Sequence, residues 1–197
     1  MEIYERQELL PITVPEKVAV VGVGGIGSWV ALDMALAGAK TLILIDGDKI
    51  EETNLNRTPF KIAQIGMNKT EALKDLIYER RLDTEIITVN KRIEAMNRNE
   101  IGKLKNAYII DARDNLTPLD VGFKPNIYLR YDGLSVTVMD ELPDSAFTSG
   151  GGGYQTVPSF IAPPQLLAAL VTTIVFRELE WKGTLTFNLD NLVWWYK

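Results

Sequence analysis

Gly22, Gly24 and Gly27 stand in the spacing G-x-G-x-x-G, and Asp46 follows them by about 20 residues. In such a pattern the first glycine permits a tight turn. The second lets the backbone approach a phosphate, and the third lets a helix pack closely on a strand. The free N–H groups and positive dipole end of that helix suit an anion. An acid placed like Asp46 suits a ribose hydroxyl. Arg57 is a fixed cation ending the polar loop after Asp46, which by itself reads equally as a solvated loop. Lys69 is a second cation further along, and Asp114 is a carboxylate able to hold Mg²⁺. Carboxylates, Arg, Lys, backbone amides and Mg²⁺ suit nucleotidyl transfer, where positioning and charge neutralisation supply most of the catalysis. The glycines and Asp46 by themselves leave ATP and NAD both open.

What is missing narrows the chemistry further. The chain of 197 residues contains no histidine and no cysteine. There is therefore no imidazole base, no Ser-His triad, no thiolate zinc site and no thioester on this chain. The net charge of −5 argues against a large nucleic-acid footprint. No apolar run reaches the ~20 residues of a membrane span. The charged N-terminus lacks the apolar core of a signal peptide, so a cytoplasmic protein is expected. The length suits a single domain over residues 1–197.

The elements that position these groups follow from apolar patterning. Val18 to Val23 is a β-branched run, as a strand buried on both faces requires. Ser28 to Ala37 is almost wholly apolar, a helix covered on most sides, and Gly38 ends it. Thr41 to Ile45 is a second strand, closed by Asp46. Phe60 to Ile65 predicts one helical turn. Asn68 to Arg81 predicts a helix with Ala72, Leu73, Leu76 and Ile77 buried, and Asn68 with Glu71 has capping-box spacing. Lys69 in its first turn opposes the dipole preference for acids there, a hint of another duty such as meeting a phosphate. Strands are expected at Glu85 to Val89 and Ala107 to Ile110, with a short helix at Asn99 to Lys105 between them. Asp46, Asp111 and Asp114 then sit at strand carboxyl ends, where open parallel sheets bind ligands. For Asp114, capping of a following helix stands beside the metal role.

The pattern changes in the C-terminal half. Asn126 to Tyr131 and Leu134 to Met139 flank Asp132-Gly133 as a hairpin. A loop over 140–158 contains four consecutive glycines, Gly150 to Gly153. Pro163 to Glu180 predicts a long helix with prolines at its start. Thr184 to Leu189 and Leu192 to Tyr196 predict a second hairpin. Trp194, Trp195 and Tyr196 do not fit one core face, so either both faces of this strand are covered or one meets a partner. At the other end, Glu2 to Leu10 reads as a short amphipathic helix, with Pro11 and Pro15 in the linker after it; composition alone makes Arg6 a surface charge. The expected fold is α/β and Rossmann-like: a largely parallel sheet with helices on both faces, extended by antiparallel strands in the C-terminal half. Residues 1–16 are the N-terminal helix and linker, 17–115 the nucleotide-binding half, and 116–197 the substrate-binding and dimerisation half.

Several of these stretches together resemble the E1-like activating-enzyme superfamily, the group of ThiF, MoeB and the adenylation domain of ubiquitin E1. The matching pieces are Gly22-x-Gly24-Gly25-x-Gly27-Ser28, Asp46-Gly47-Asp48, Asn54-Leu55-Asn56-Arg57, Ile65-Gly66-x-x-Lys69 and Asp111-x-x-Asp114-Asn115, in the family's order. Tyr4-x-Arg6-Gln7 is similar to the family's opening. The resemblance covers most of residues 4–115. It implies ATP and Mg²⁺ as cofactors and transfer of AMP to a carboxylate, usually the C-terminal glycine of a ubiquitin-like or sulfur-carrier protein. It assigns the nucleotide to Gly22, Gly24, Gly25, Gly27, Asp46 and Asp48, with Asn54 and Gln64 as supporting polar groups. It gives Arg57 and Lys69 the phosphates and Asp114 the Mg²⁺. Arg6 is implied to reach the phosphates of a neighbouring subunit, so a homodimer is expected.

The departures from the family shape that expectation. Many relatives carry a catalytic cysteine and two Cys-x-x-Cys pairs, which this chain lacks, so it is expected to stop at the acyl-adenylate. Arg113 stands where relatives often have a small residue. The glycine loop at 149–153 lies roughly where relatives thread the substrate's tail, and is expected to close over it. Three other readings compete. An NAD-dependent oxidoreductase would explain the glycines and Asp46, but not Arg57, Lys69 and Asp114 together. A non-catalytic partner subunit would be expected to have lost those phosphate cations. A carboxylate on tRNA would keep the adenylation and change the acceptor, against the acidic net charge.

Overall fold

A computed structural model describes residues 3–80, 83–114, 118, 121–142 and 159–196, with the side chain of Asp132 excepted. Eight strands form one sheet in the order β3-β2-β1-β4-β5-β6-β7-β8. The parallel part comprises β1 (Lys17–Val21), β2 (Thr41–Ile45), β3 (Glu85–Val89), β4 (Tyr108–Asp111) and β5 (Ile127–Asp132). Antiparallel pairing then adds β6 (Ser135–Met139), β7 (Thr184–Asn188) and β8 (Val193–Tyr196). This is the expected Rossmann-like sheet with an antiparallel extension.

Strand alternation divides the core in two. Val18, Val20, Leu42, Leu44, Ile110, Leu129 and Val138 point to one face. There they meet α1 (Gly25–Leu36), α2 (Lys69–Tyr78) and α4 (Ala162–Phe176). Ala19, Val21, Ile43, Ile45 and Ile109 point to the other face, against Ile93, Met96, Leu104 and Ile101 of α3 (Arg98–Gly102). Each large aliphatic side chain buried in this way contributes about 1.5–3 kcal/mol relative to exposure. The strands of the parallel half are apolar on both sides because helices cover both faces.

Sequence order reverses between β1 and β4, which lie side by side with helical crossovers leaving in opposite directions. The carboxyl end of such a pair is where an open α/β sheet forms its ligand crevice. β1 ends at Val21, in register with Asp111 at the end of β4. The glycine turn and the Ala112–Asp114 segment therefore leave the sheet next to each other.

Several local expectations change. Residues 3–10 form turns instead of an amphipathic helix. The side chains of that segment are engaged elsewhere: Tyr4 Oη donates to Asp83 Oδ2 at 2.8 Å, and Gln7 Nε2 donates to the Ala37 carbonyl at 2.6 Å. The Asn68–Glu71 capping box does not form, because Glu71 accepts from Asn90 Nδ2 at 2.9 Å across the layer to β3's end. The β5–β6 hairpin turns at Gly133 and Leu134, one residue later than expected, with Asp132 already paired to Ser135. Trp194, Trp195 and Tyr196 lie on edge strand β8 and are 52%, 46% and 65% exposed, so the described residues do not cover this strand on both faces. Trp194 stacks on Phe187 with ring centroids 3.9 Å apart, on the α4 side. The glycine loop at 149–153 and Asn115 lie outside the described residues.

Candidate functional site

The crevice begins with Gly22, whose φ of 82° is a left-handed conformation that suits glycine. A Cβ there would also lie 3.1 Å from the Ala112 carbonyl oxygen, so the missing side chain lets the Ala112–Asp114 segment lie against the turn. Gly27 is tighter still: an added Cβ would stand 1.8 Å from the Gly22 carbonyl oxygen. That contact presses α1 onto the turn. Gly24 caps α1, and a Cβ built on it meets no described residue within 4 Å. The first amides of α1 have no partner within the helix, and such a helix start suits an anion.

Asp46 closes the turn from the β2 side. Its Oδ2 accepts from the Val23 amide and its Oδ1 from the Asp48 amide, each at 2.8 Å. Burial pushes its pKa above the usual carboxylate value, while Lys69 and these two amides pull it back down. Each oxygen keeps a lone pair that could accept from a ribose hydroxyl.

Lys69 is brought to Asp46 and Asp48 by the start of α2. Its amide donates to the Asp48 carbonyl, and Lys49 and Asn68 form a single β-bridge beside it. The Lys69 ammonium lies 3.1 Å from Asp48 Oδ2. This explains a lysine in a helix first turn: the neighbouring carboxylates outweigh the unfavourable dipole.

Arg57 comes from the loop after β2. The Trp29 indole donates to its carbonyl at 2.8 Å, which fixes the arginine backbone to α1. Its Nη1 donates to the Thr53 carbonyl at 2.5 Å and to Asn56 Oδ1 at 3.1 Å. Its Nε–H is buried with no hydrogen-bond partner among the described residues. Its Cδ would be 3.5 Å from a Cβ on Gly25, so this orphaned donor lies beside the cradle. A buried donor left unpaired costs about 1–3 kcal/mol, which a bound oxyanion would recover.

The other expected site residues divide. Asn54 Oδ1 caps its own 3₁₀ turn through the Glu51 amide, which shapes the loop that presents Arg57. Gln64 is buried and held by the chain's own backbone: it accepts from the Lys61 amide and donates to the Ala72 carbonyl, bracing the start of α2. Asp114 is exposed at the mouth of the crevice. Among the described residues no group of three or more carboxylates could hold a metal. A lone carboxylate nevertheless suits Mg²⁺, which keeps most of its waters and shares phosphate oxygens. Arg6 is exposed and follows Tyr4, whose ring packs against Gly38 just past the C-terminal end of α1. Twelve helical residues, about 18 Å at the standard rise, separate that end from the cradle.

Arg113, the residue at odds with the family pattern, is absorbed by structure. It forks onto fully buried Asp111 at 2.8 and 3.0 Å and reaches Glu94 at 2.5 Å. Asp111 therefore faces Arg113 and not the crevice. Two residues that sequence reasoning did not single out also border the site: Trp29 holds Arg57, and Tyr131 reaches Gly25.

The ThiF family model matches residues 13–121, more than half of the chain. The tRNA threonylcarbamoyladenosine dehydratase of Haemophilus influenzae is 31% identical over 147 residues, covering 73% of this chain and 51% of that one. The ubiquitin-like modifier-activating enzyme 5 of Caenorhabditis briggsae is 37% identical over 101 residues, covering 50% of this chain and 23% of that one. This chain thus spans about half or less of the length of these curated relatives. Among solved structures, PaaA matches with a TM-score of 0.75 and 25% identity, over 99% of this chain and 66% of that one. Escherichia coli MccB with ATP matches with a TM-score of 0.71 and 22% identity, over 92% of this chain and 63% of that one, a likeness of fold.

Proposed function

We propose that this chain, which belongs to the ThiF family, uses ATP·Mg²⁺ to adenylate a carboxylate. The observation that carries this reading is the buried Nε–H of Arg57 beside the first amides of α1. Among the described residues it is a donor without an acceptor, and a bound oxyanion would supply one.

In the proposed reaction a carboxylate oxygen attacks the α-phosphorus. An acyl–O–P bond forms, the bond from the α-phosphorus to the bridging oxygen breaks, and pyrophosphate leaves with that electron pair. Two anions must approach each other, so the barrier falls where positive groups meet the developing charge. The amides at the start of α1, Arg57 and Lys69 supply that charge from this chain. Asp46 holds the ribose, Asp48 and Asn54 keep Lys69 and Arg57 in place, and Asp114 would hold Mg²⁺. That ion, when bound, would neutralise phosphate charge and orient the leaving group. Arg6 would act on the site of a second copy, since about 18 Å of α1 lies between its own segment and its own cradle. With no cysteine, the acyl-adenylate passes to a nucleophile outside this chain.

We favour the C-terminal glycine of a ubiquitin-like or sulfur-carrier protein as the carboxylate, in keeping with the activating-enzyme relatives. The dehydratase relative, matched over 73% of this chain, supports a second reading in which the carboxylate is carried by tRNA. Exchange of labelled pyrophosphate into ATP tests both. Exchange that requires a sulfur-carrier protein with a free C-terminus, and is lost when that terminus is amidated, is the expected result. Exchange driven by bulk tRNA instead, with tRNA retained in filter binding at moderate salt, would overturn the protein substrate.

A further inference from the structure

We propose that Tyr131 is a substrate-contact residue of this site, its phenol donating a hydrogen bond to the phosphoryl oxygen seated at the N-terminus of α1. The inference rests on the ATP reading above and adds a group that the sequence motifs do not contain. Tyr131 is the penultimate residue of β5, at the carboxyl end of the last parallel strand, on the same sheet face as Leu129. Gly25 is the first residue of α1. A Cβ built on Gly25 would lie 3.1 Å from Tyr131 Oη, 3.4 Å from its Cε1 and 3.5 Å from Arg57 Cδ. The phenol and the arginine therefore flank the same helix N-terminus.

This contact explains a feature that G-x-G-x-x-G leaves open. That pattern asks for nothing at its fourth position, yet the chain has glycine there as well as at Gly24. A methyl at residue 25 would press the tyrosine hydroxyl back by a few tenths of an ångström and leave Arg57 Cδ at ordinary contact distance. The ring is half-buried, packed against the core, so its position is set by the fold. Its Oη makes no hydrogen bond to any described residue, so within them the hydroxyl serves no structural role. A neutral O–H adds a directed donor without a further cation beside Arg57. Donors already aimed at oxygens that gain charge in the transition state need no reorganisation during reaction.

The test is calorimetric titration of the whole protein and its Tyr131→Phe variant with ATP·Mg²⁺, AMP and adenosine. The phenylalanine ring preserves the packing, and thermal melting of the free proteins checks that it does. Loss of a hydrogen bond to a charged oxygen is expected to weaken ATP and AMP by about tenfold or more, and to leave adenosine unchanged. Equal ATP affinity in the two proteins, or a loss shared by adenosine, would overturn the role of Tyr131 and leave the ATP reading standing. Absence of ATP binding by the unaltered protein would overturn both.

Discussion

Lys69 Nζ lies 3.1 Å from Asp48 Oδ2, and the Lys69 amide donates to the carbonyl of the same aspartate. Two contacts from one residue thus join the first turn of α2 to the loop that follows Asp46. The lysine side chain is 11% exposed and the aspartate side chain 56%, so the cation is held from within and its partner opens to solvent. An arriving phosphate can share the ammonium with Asp48 or take its place without rebuilding the loop.

Lys69→Ala and Asp114→Ala are each expected to abolish AMP transfer, a loss of at least about 100-fold for a removed charge-stabilising group. The fold should persist. The Lys69–Asp48 pair opens to water on the aspartate side, and such pairs contribute about 0–1 kcal/mol. Transfer of labelled AMP, read beside urea unfolding, checks both parts. Near-normal transfer in either variant would remove that residue from the mechanism.

Gly27 and Gly24 differ in what an added side chain would meet. Gly27→Ala is expected to destabilise the protein by more than about 3 kcal/mol, because its methyl would enter the Gly22 carbonyl. Gly24→Ala places its methyl where no described residue lies within 4 Å, so its cost should fall on ATP affinity more than on melting. Melting temperature and ATP titration of the two variants side by side would show the contrast, and equal melting losses would contradict it.

Much of this arrangement was legible in the chain because it is local. The β-branched runs, the glycine spacing and Asp46 at a strand end all lie within one continuous βαβ unit, so periodicity alone predicts their places. Contacts between distant segments were harder to read. Residues 3–10 have helical composition, but Tyr4 and Gln7 are drawn to Asp83 and to the end of α1. Glu71 has capping-box spacing, but Asn90 of another segment claims it. Tyr131 carries no local signal at all. Its proximity to Gly25 arises only when the sheet sets β5 beside β4 and β4 beside β1.

Asp33 provides a pH dependence independent of the site. Burial on α1 lifts its pKa from 3.8 to about 6. The folded state therefore binds more protons than the unfolded state between these values, and stability falls as pH rises through that window. Allowing for partial solvent screening, the ionised carboxylate costs about 1–2 kcal/mol at pH 7. Asp33→Asn is expected to raise stability by that amount at about pH 7, with the gain vanishing near pH 4. Urea unfolding at both pH values checks it; a gain of equal size at both would rule out titration of Asp33 as the cause.

If the proposed action in trans holds, Arg6→Ala inactivates the protein although Arg6 lies beyond the far end of α1 from its own cradle. Mixing it with Lys69→Ala protein should restore activity, since a heterodimer then contains one site with both an intact Lys69 and an intact incoming Arg6. Heterodimers verified by tandem affinity tags and showing no rescue would contradict action in trans.

The most direct measurement is thermal unfolding with ATP·Mg²⁺, with ATP and EDTA, and with NAD. A ligand at 1,000 times its Kd stabilises the folded state by about 4 kcal/mol. Melting temperature is expected to rise clearly with ATP·Mg²⁺, to rise less when EDTA removes the metal, and not to rise with NAD. A rise with NAD alone would contradict the ATP reading and return the glycine turn and Asp46 to dinucleotide binding.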